Sequence, residues 1–420
     1  MRKQAKLAHM TDRSPPRRRV GLVLSGGGAR GAYEAGVLAH LFEEIYPRLP
    51  PGFEFDVLSG TSVGAIHAAY VAASAHLGPG PRAGQLADTW RDMRVNDVLQ
   101  LSLGDLFRVP LRALGVTSLA RRLRAGADVI GGLVDIGPLE RLVQERIPWD
   151  HLRTNLDRDA PSALCISCTQ VRTGRATVFM DGKLADTTSW QFDPNAHAEA
   201  VEITPRHVRA SAAIPFFFPA VRLGNRYYVD GGLRMNTPLS PALRLGCERV
   251  LVIGLKHPVG PDEDQPAYPE DVIGKPAFLL GKVLNALMMD RLEYELQRME
   301  LVNAQIEHGE KSYGDGFLEN FNVAVRAQRG ADYRRVSALT LRPSQDIGAV
   351  AAECYARQGP RSLGLLPSLF TNLAQLGAPE GEADLLSYLL FDRCFTSQLM
   401  ELGREDARAQ SDEILALLGQ

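Results

Sequence analysis

Three short runs hold the residues best suited to chemistry. The first, VLSGGGARGAYEAG from Val23 to Gly36, sets Gly26, Gly27, Gly28 and Gly31 around Arg30, directly after the apolar run Val20-Gly21-Leu22-Val23-Leu24. Glycine removes the Cβ that keeps backbones apart, so successive N–H groups of such a loop can converge on one anion. The second run, Gly60-Thr61-Ser62-Val63-Gly64, is a G-x-S-x-G. Between a strand and a helix, this pattern makes a sharp turn that lifts a serine Oγ clear of the backbone, at a helix N-terminus that favours developing negative charge. The third run, Asp230-Gly231-Gly232, closes the stretch Arg226-Tyr227-Tyr228-Val229. It reads as a plain Asp-Gly turn or as a carboxylate set at a strand end to serve a nucleophile. His257 follows another apolar run, and Ser62, Asp230, His257 reproduce the chain order of an α/β-hydrolase triad, so the base stays open between the two.

The spacing Gly26-x-Gly28-x-x-Gly31 also spells a dinucleotide fingerprint. Such a unit needs an acid about 20 residues further on, at the tip of the second strand, to hold a ribose hydroxyl. Here the second strand, read over FEFDVLSG, ends in Ser59-Gly60, with Glu54 and Asp56 inside it. A serine turn stands where the acid should be. The glycine loop therefore reads as an oxyanion hole, with the N–H groups of Gly27 and Gly28 as donors, and a dinucleotide-binding protein is the poorer fit.

These runs need elements to position them. Apolar residues at Val37, Leu41 and Ile45, beside Leu38 and Phe42, predict a helix after the first strand, stopped near Pro47. An Ala-rich helix is predicted over Val63 to Ala75, so the order is strand, helix, strand, helix, the pattern of a parallel α/β sheet. Ala163 to Met180 reads as a hairpin turning at Arg172-Thr173-Gly174, and Tyr227 to Asp230, Arg249 to Leu255 and Val336 to Leu341 as further strands. Pro258 to Tyr268 marks an internal boundary, beyond which Leu280, Leu284, Leu287, Leu292, Leu296, Met299 and Ile306 trace a long amphipathic helix. The tail around Leu385 to Phe391 and Ile414 to Leu418 reads as helical.

Composition narrows the partners. The 420 residues, 45% hydrophobic and 23% charged with net charge −2, lack the basic footprint of a nucleic-acid binder. Residues 1–19 read as a basic arm, expected to be disordered, without the apolar core of a secretory signal. Val57 to Pro81 carries no Asp, Glu, Lys or Arg, but Ser59-Gly60-Thr61-Ser62 and two histidines interrupt it, so no spanning helix is expected. Five scattered cysteines point to free thiols in a reducing, cytoplasmic compartment. Cys165 and Cys168 fall on opposite faces of one predicted strand and so share neither metal nor disulfide. Leu111 to Arg124, with Arg112, Arg121, Arg122 and Arg124 among leucines, reads either as a membrane-surface stretch or as a helix that packs Leu inward. Nothing specifies an oligomeric state.

Taken together, the motifs resemble the patatin-like phospholipases. Gly26-Gly27-Gly28-Ala29-Arg30-Gly31 is similar to that family's oxyanion motif, Gly60 to Gly64 to its nucleophile elbow, and Asp230-Gly231-Gly232 to its catalytic aspartate motif. Ala210-Ser211-Ala212-Ala213-Ile214-Pro215 is similar to the A-S-x-A-x-P block that precedes that aspartate. The resemblance covers about Val20 to Leu255. It implies a three-layer α/β/α fold with a mostly parallel central sheet, hydrolysis of lipid acyl esters by a Ser62–Asp230 dyad, and no metal or other cofactor. Arg30 would brace the loop or face a lipid phosphate. The implied layout is a catalytic domain over 20–258 and a mainly helical region over 259–420 packed on it, with peripheral membrane contact. A Ser62–Asp230–His257 triad and a non-catalytic lipid-binding protein are the alternatives.

A dyad raises a chemical difficulty, because aspartate with an ordinary pKa of about 3.9 is a weaker base than histidine at about 6.5. Desolvation beside an apolar acyl pocket would raise it. Ile214 and Phe216 to Phe218 are candidates for that wall, or ordinary core.

Overall fold

Val20 to Leu24 are buried on both faces, as an apolar strand in the middle of a parallel sheet must be. In the computed structural model, which describes residues 18–98, 129–130, 137–215, 217–258, 292–358 and 384–419, they belong to β1 (Arg19–Leu24). The chain then makes α1 (Gly31–His40), β2 (Val57–Thr61), α2 (Val63–Ala73) and α3 (Pro79–Asp92). Next come β3 (Val129–Ile130), α4 (Gly137–Arg146), β4 (Ala163–Gln170), β5 (Ala176–Asp181), β6 (Ala196–Ala200) and α5 (Pro205–Ser211). β7 (Ala220–Leu223), β8 (Arg226–Asp230) and β9 (Cys247–Ile253) complete the first part. Beyond them lie α6 (Leu292–Tyr313), α7 (Phe317–Arg329), β10 (Ser337–Leu341), α8 (Asp384–Leu389), α9 (Arg393–Ala409) and α10 (Ser411–Leu418).

β10, β9, β1, β2 and β4 pair in that order, all parallel. β8 and β5 join β4 antiparallel, β7 and β3 continue from β8, and β6 runs parallel to β5. The sheet is thus mostly parallel at its centre with an antiparallel flank. Alternate strand residues feed two cores, Leu22, Leu24, Leu58 and Ile166 on one face and Val23, Val57, Cys165 and Val252 on the other. Cys165 and Cys168 go to opposite cores as free, buried thiols.

Two elements differ from the sequence reading. The helix after the glycine loop carries no exposed face, because every residue of α1 is buried. Its outer side is covered by α9, and the two backbones approach through glycines: a Cβ at Gly36 would lie 2.0 Å from the Met400 carbonyl oxygen, and one at Gly403 2.2 Å from that of Tyr33. The second strand begins at Val57, so Glu54 and Asp56 precede it. Asp56 instead accepts the Val20 N–H at 2.7 Å, and Glu54 pairs with the buried Arg82. Arg19 opens β1 and donates to the Leu245 carbonyl, so it belongs to the sheet and not to the basic arm. Residues 1–17, Leu111 to Arg124, Phe216 and the connection after Pro258 lie outside the described residues, as does the long helix before Leu292.

Candidate active site

β2 ends at Thr61, and Ser62 turns the chain into α2 with φ 56° and ψ −122°. A left-handed φ is costly for any residue with a Cβ. It is held there by the surroundings. A Cβ at Gly60 would lie 2.1 Å from the Gly64 carbonyl oxygen, and one at Gly64 2.4 Å from that of Leu24, so only glycine at both positions lets the turn close. The Ser62 N–H donates to Ser211 Oγ at 2.9 Å, and Ser211 donates to the Ser167 carbonyl at 2.6 Å.

Asp230 ends β8, antiparallel to β4 and opposite Cys168, while Thr61 pairs with Ser167 on the same strand. β4 thereby carries the serine turn and the aspartate turn to one place. The Asp230 N–H donates to the Ala213 carbonyl at 2.9 Å. Ser211 and Ala213 therefore hold the backbones of Ser62 and Asp230 respectively, a physical role for the Ala210–Pro215 block that its sequence alone did not disclose. Gly232 N–H donates to Asp230 Oδ1 at 2.7 Å, and a Cβ at Gly231 would lie 2.2 Å from the Ser167 carbonyl oxygen. Asp230 is fully buried, and its Oδ2 has no hydrogen bond of standard geometry. Burial raises its pKa from 3.8 to about 6, against the Gly232 N–H and the nearby Ser62 hydroxyl, which favour the charged form.

The glycine loop lies against this pair. Gly26 exchanges two hydrogen bonds with Asn236, from its N–H to the Asn236 carbonyl at 3.0 Å and from Asn236 Nδ2 to its own carbonyl at 3.2 Å. A Cβ there would come within 3.2 Å of the Ser62 Cβ. Gly27 abuts Leu255, and Gly31 abuts Val63 and Trp90. Gly28 has φ +56° and faces the Tyr388 carbonyl, 2.3 Å from where a Cβ would sit. The N–H groups of Gly27 and Gly28 have no hydrogen-bond partner among the described residues. Unpaired N–H groups beside a serine can hold an oxyanion.

Arg30 is buried, donates from Nε to Ser387 Oγ at 2.7 Å and lies 4.1 Å from the Tyr388 ring centroid. It braces the loop against α8. An apolar cavity opens beside Ser62 and Gly28. Val63, Ile66, Leu86, Met93, Leu142, Ile214 and Phe218 line it, together with Tyr388, Leu389 and Phe391 from the distant C-terminal part. Ile214 and Phe218 are wall residues, as the sequence reading allowed; Phe217 is buried but outside the lining.

Three further residues escaped sequence reasoning. Trp90 Nε1–H donates to His67 Nε2 at 2.9 Å, so that nitrogen is an acceptor and Nδ1 carries the proton given to Glu34 Oε2 at 2.7 Å. Glu34 Oε1 accepts the Ser25 N–H at 2.7 Å, one residue before the glycine loop. Both His67 nitrogens are engaged although the ring lines the cavity. His257 donates from Nδ1 to the Pro343 carbonyl at 2.9 Å and is not among the cavity residues; no described bond joins it to Ser62 or Asp230. Among the described residues, no helix is long and apolar enough to cross a membrane, and no group of His, Cys, Asp and Glu is arranged to hold a metal.

The family model for patatin-like phospholipases matches residues 22–243. Over 218 residues the chain is 28% identical to a cGAMP-activated phospholipase of Pseudomonas aeruginosa, covering 52% of this chain and 53% of that protein. It is 27% identical over 221 residues to the uncharacterized protein YqhO of Bacillus subtilis, covering 52% and 64%. The match thus spans between half and two thirds of the length of these curated relatives. Among solved structures, VipD from Legionella pneumophila is similar at 13% identity and a TM-score of 0.32, over 93% of this chain and 67% of that one. Human GIVD cytosolic phospholipase A2, in complex with methyl gamma-linolenyl fluorophosphonate, is similar at 13% identity and a TM-score of 0.39, over 96% and 59%. Likenesses at those scores bear no weight on function.

Proposed function

Since this chain belongs to the patatin-like phospholipase family, we propose that it is a lipid acyl hydrolase working through a Ser62–Asp230 dyad. Ser62 Oγ attacks the ester carbonyl carbon while its proton passes to Asp230 Oδ2. The N–H groups of Gly27 and Gly28 hold the resulting oxyanion, and the acyl chain occupies the apolar cavity. As the tetrahedral intermediate collapses, protonated Asp230 returns the proton to the departing alcohol oxygen, leaving an acyl-Ser62 ester. Water, deprotonated by Asp230, then attacks that ester, and the free fatty acid leaves with Ser62 restored.

One observation carries this reading: a fully buried aspartate with an unpartnered oxygen beside the hydroxyl of Ser62, a residue that lines an apolar cavity. Burial moves the carboxylate toward the basicity that neutral-pH catalysis needs. Lipid esters reside at interfaces, so reversible peripheral contact with a membrane is part of the proposal. Release of fatty acid from a panel of phospholipids, lysophospholipids and neutral glycerides, by wild type and Ser62→Ala, tests it. No release above the Ser62→Ala background from any of them would refute it.

A further inference from the structure

On the other face of the sheet from the Ser62 cavity is a second cleft, of about 390 Å³. Its floor, with Ala176, Ala196 and Cys247, belongs to the opposite core from the residues that wall the acyl cavity. Among the described residues, five arginines line it: Arg234 and Arg244 from the segment after β8, Arg298 from α6, Arg329 from the end of α7, and Arg334 before β10.

The acids that line the same cleft, Asp193, Asp332 and Glu295, offset them only in part. Asp193 pairs with Arg244 at 2.7 Å, and Asp332 pairs with Arg326, which lies outside the lining. Among the described residues, Arg234, Arg298, Arg329 and Arg334 have no carboxylate partner and Glu295 is the only other acid in the lining. Arg234 donates from Nε to the Gly174 carbonyl, and Arg329 to the Ala331 and Asp332 carbonyls, neutral acceptors that leave the charge in place. Burial and the neighbouring guanidinium groups lower the proton affinity of both Arg244 and Arg329. Like charges gathered in a partly buried cleft repel one another, and an anion bound among them relieves that repulsion.

Guanidinium is planar and presents a fork of N–H donors matched to phosphate oxygens. Arg329 stacks 5.0 Å from the Tyr333 ring centroid, and Tyr294 stands 63% exposed at the rim, a flat apolar face beside the charges. We propose that this cleft is a binding site for a small ligand carrying two or more phosphates, separate from the lipid site. The chemistry is shared by nucleotides and by phosphorylated head groups such as inositol polyphosphates.

Calorimetric titration of the full chain with inorganic pyrophosphate, ATP and inositol hexakisphosphate tests the proposal, and it does so independently of any hydrolytic activity. One probe should bind per chain, more weakly as ionic strength rises. Arg298→Glu and Arg334→Gln should each weaken it by about tenfold or more, while Arg357→Gln, outside the cleft, should leave it unchanged. ATP binding more tightly than pyrophosphate would identify a nucleotide-like ligand, and inositol hexakisphosphate exceeding ATP a head group. Arg298 is exposed on its helix, so its substitution spares the fold, with circular dichroism as the check. Absence of binding by all three probes, or binding indifferent to both cleft substitutions, would overturn the assignment.

Discussion

The Gly232 N–H donates to Asp230 Oδ1 at 2.7 Å, while Oδ2 of the same buried carboxyl has no hydrogen bond of standard geometry. One oxygen is fixed and the other is available to a proton. Burial raises the pKa to about 6, so Asp230 is ionised above that value and protonated below it. If Asp230 is the base, kcat/KM for a soluble ester should fall by about tenfold per pH unit below about pH 6 and level off above it, in the absence of unfolding. A rate independent of pH through that region would remove Asp230 as the base.

The same burial has a thermodynamic sign. A carboxyl whose pKa rises on folding stabilises the fold only where it is protonated: the contribution is present below about 3.8 and is lost as pH rises through about 6. Asp230→Asn keeps an acceptor for the Gly232 N–H and removes the charge. It should therefore stabilise the protein by about 2 to 3 kcal/mol at neutral pH, shrinking toward zero near pH 4, while abolishing turnover. Denaturant melts at both pH values report this, and equal stability of the two proteins at neutral pH would contradict it.

Ser62 keeps a left-handed backbone, φ 56°, in a residue that carries a Cβ. Ser62→Gly should relieve that strain and gain about 1 kcal/mol, whereas Ser62→Ala should not, though both eliminate activity. Thermal melts of the two variants side by side discriminate; Ala more stable than Gly would show that the turn is not strained.

Trp90, His67 and Glu34 form a buried chain that ends on the Ser25 N–H, so the loop carrying Gly27 and Gly28 is anchored from the cavity side. Glu34→Gln replaces one acceptor oxygen with an amide that cannot serve both Ser25 and the His67 Nδ1–H. If Gly27 and Gly28 hold the oxyanion, loosening their loop should lower kcat by about tenfold, with KM changed far less because the cavity wall is retained. A rise in KM at constant kcat would place Glu34 in substrate binding instead.

The parts of this site legible in the sequence are those written in contiguous residues. Gly60 and Gly64 flank Ser62 because the turn closes against their own neighbours, and Gly232 meets Asp230 two residues away, so short patterns carry that geometry. The sheet was legible for the same reason: β1, β2, β4, β8, β9 and β10 are short apolar runs punctuated by turns. What was hidden depends on distant partners. Ser387 and Tyr388 reach Arg30 and Gly28 across more than half of the chain, and α9 buries the outer face of α1 through Gly36 and Gly403. Nor does any local pattern announce that His67, five residues after Ser62, is committed to Trp90 and Glu34. The five arginines of the second cleft come from four separate segments and form no motif at all.

The central claim is that Ser62 is a nucleophile activated by Asp230 and not by His257. Reaction with an alkyl fluorophosphonate, followed by peptide mass spectrometry, tests it most directly. A single adduct is expected on the peptide containing Ser62, absent in Ser62→Ala, strongly slowed in Asp230→Asn and unaffected by His257→Ala. An adduct on another residue, or labelling lost in His257→Ala and retained at full rate in Asp230→Asn, would contradict it.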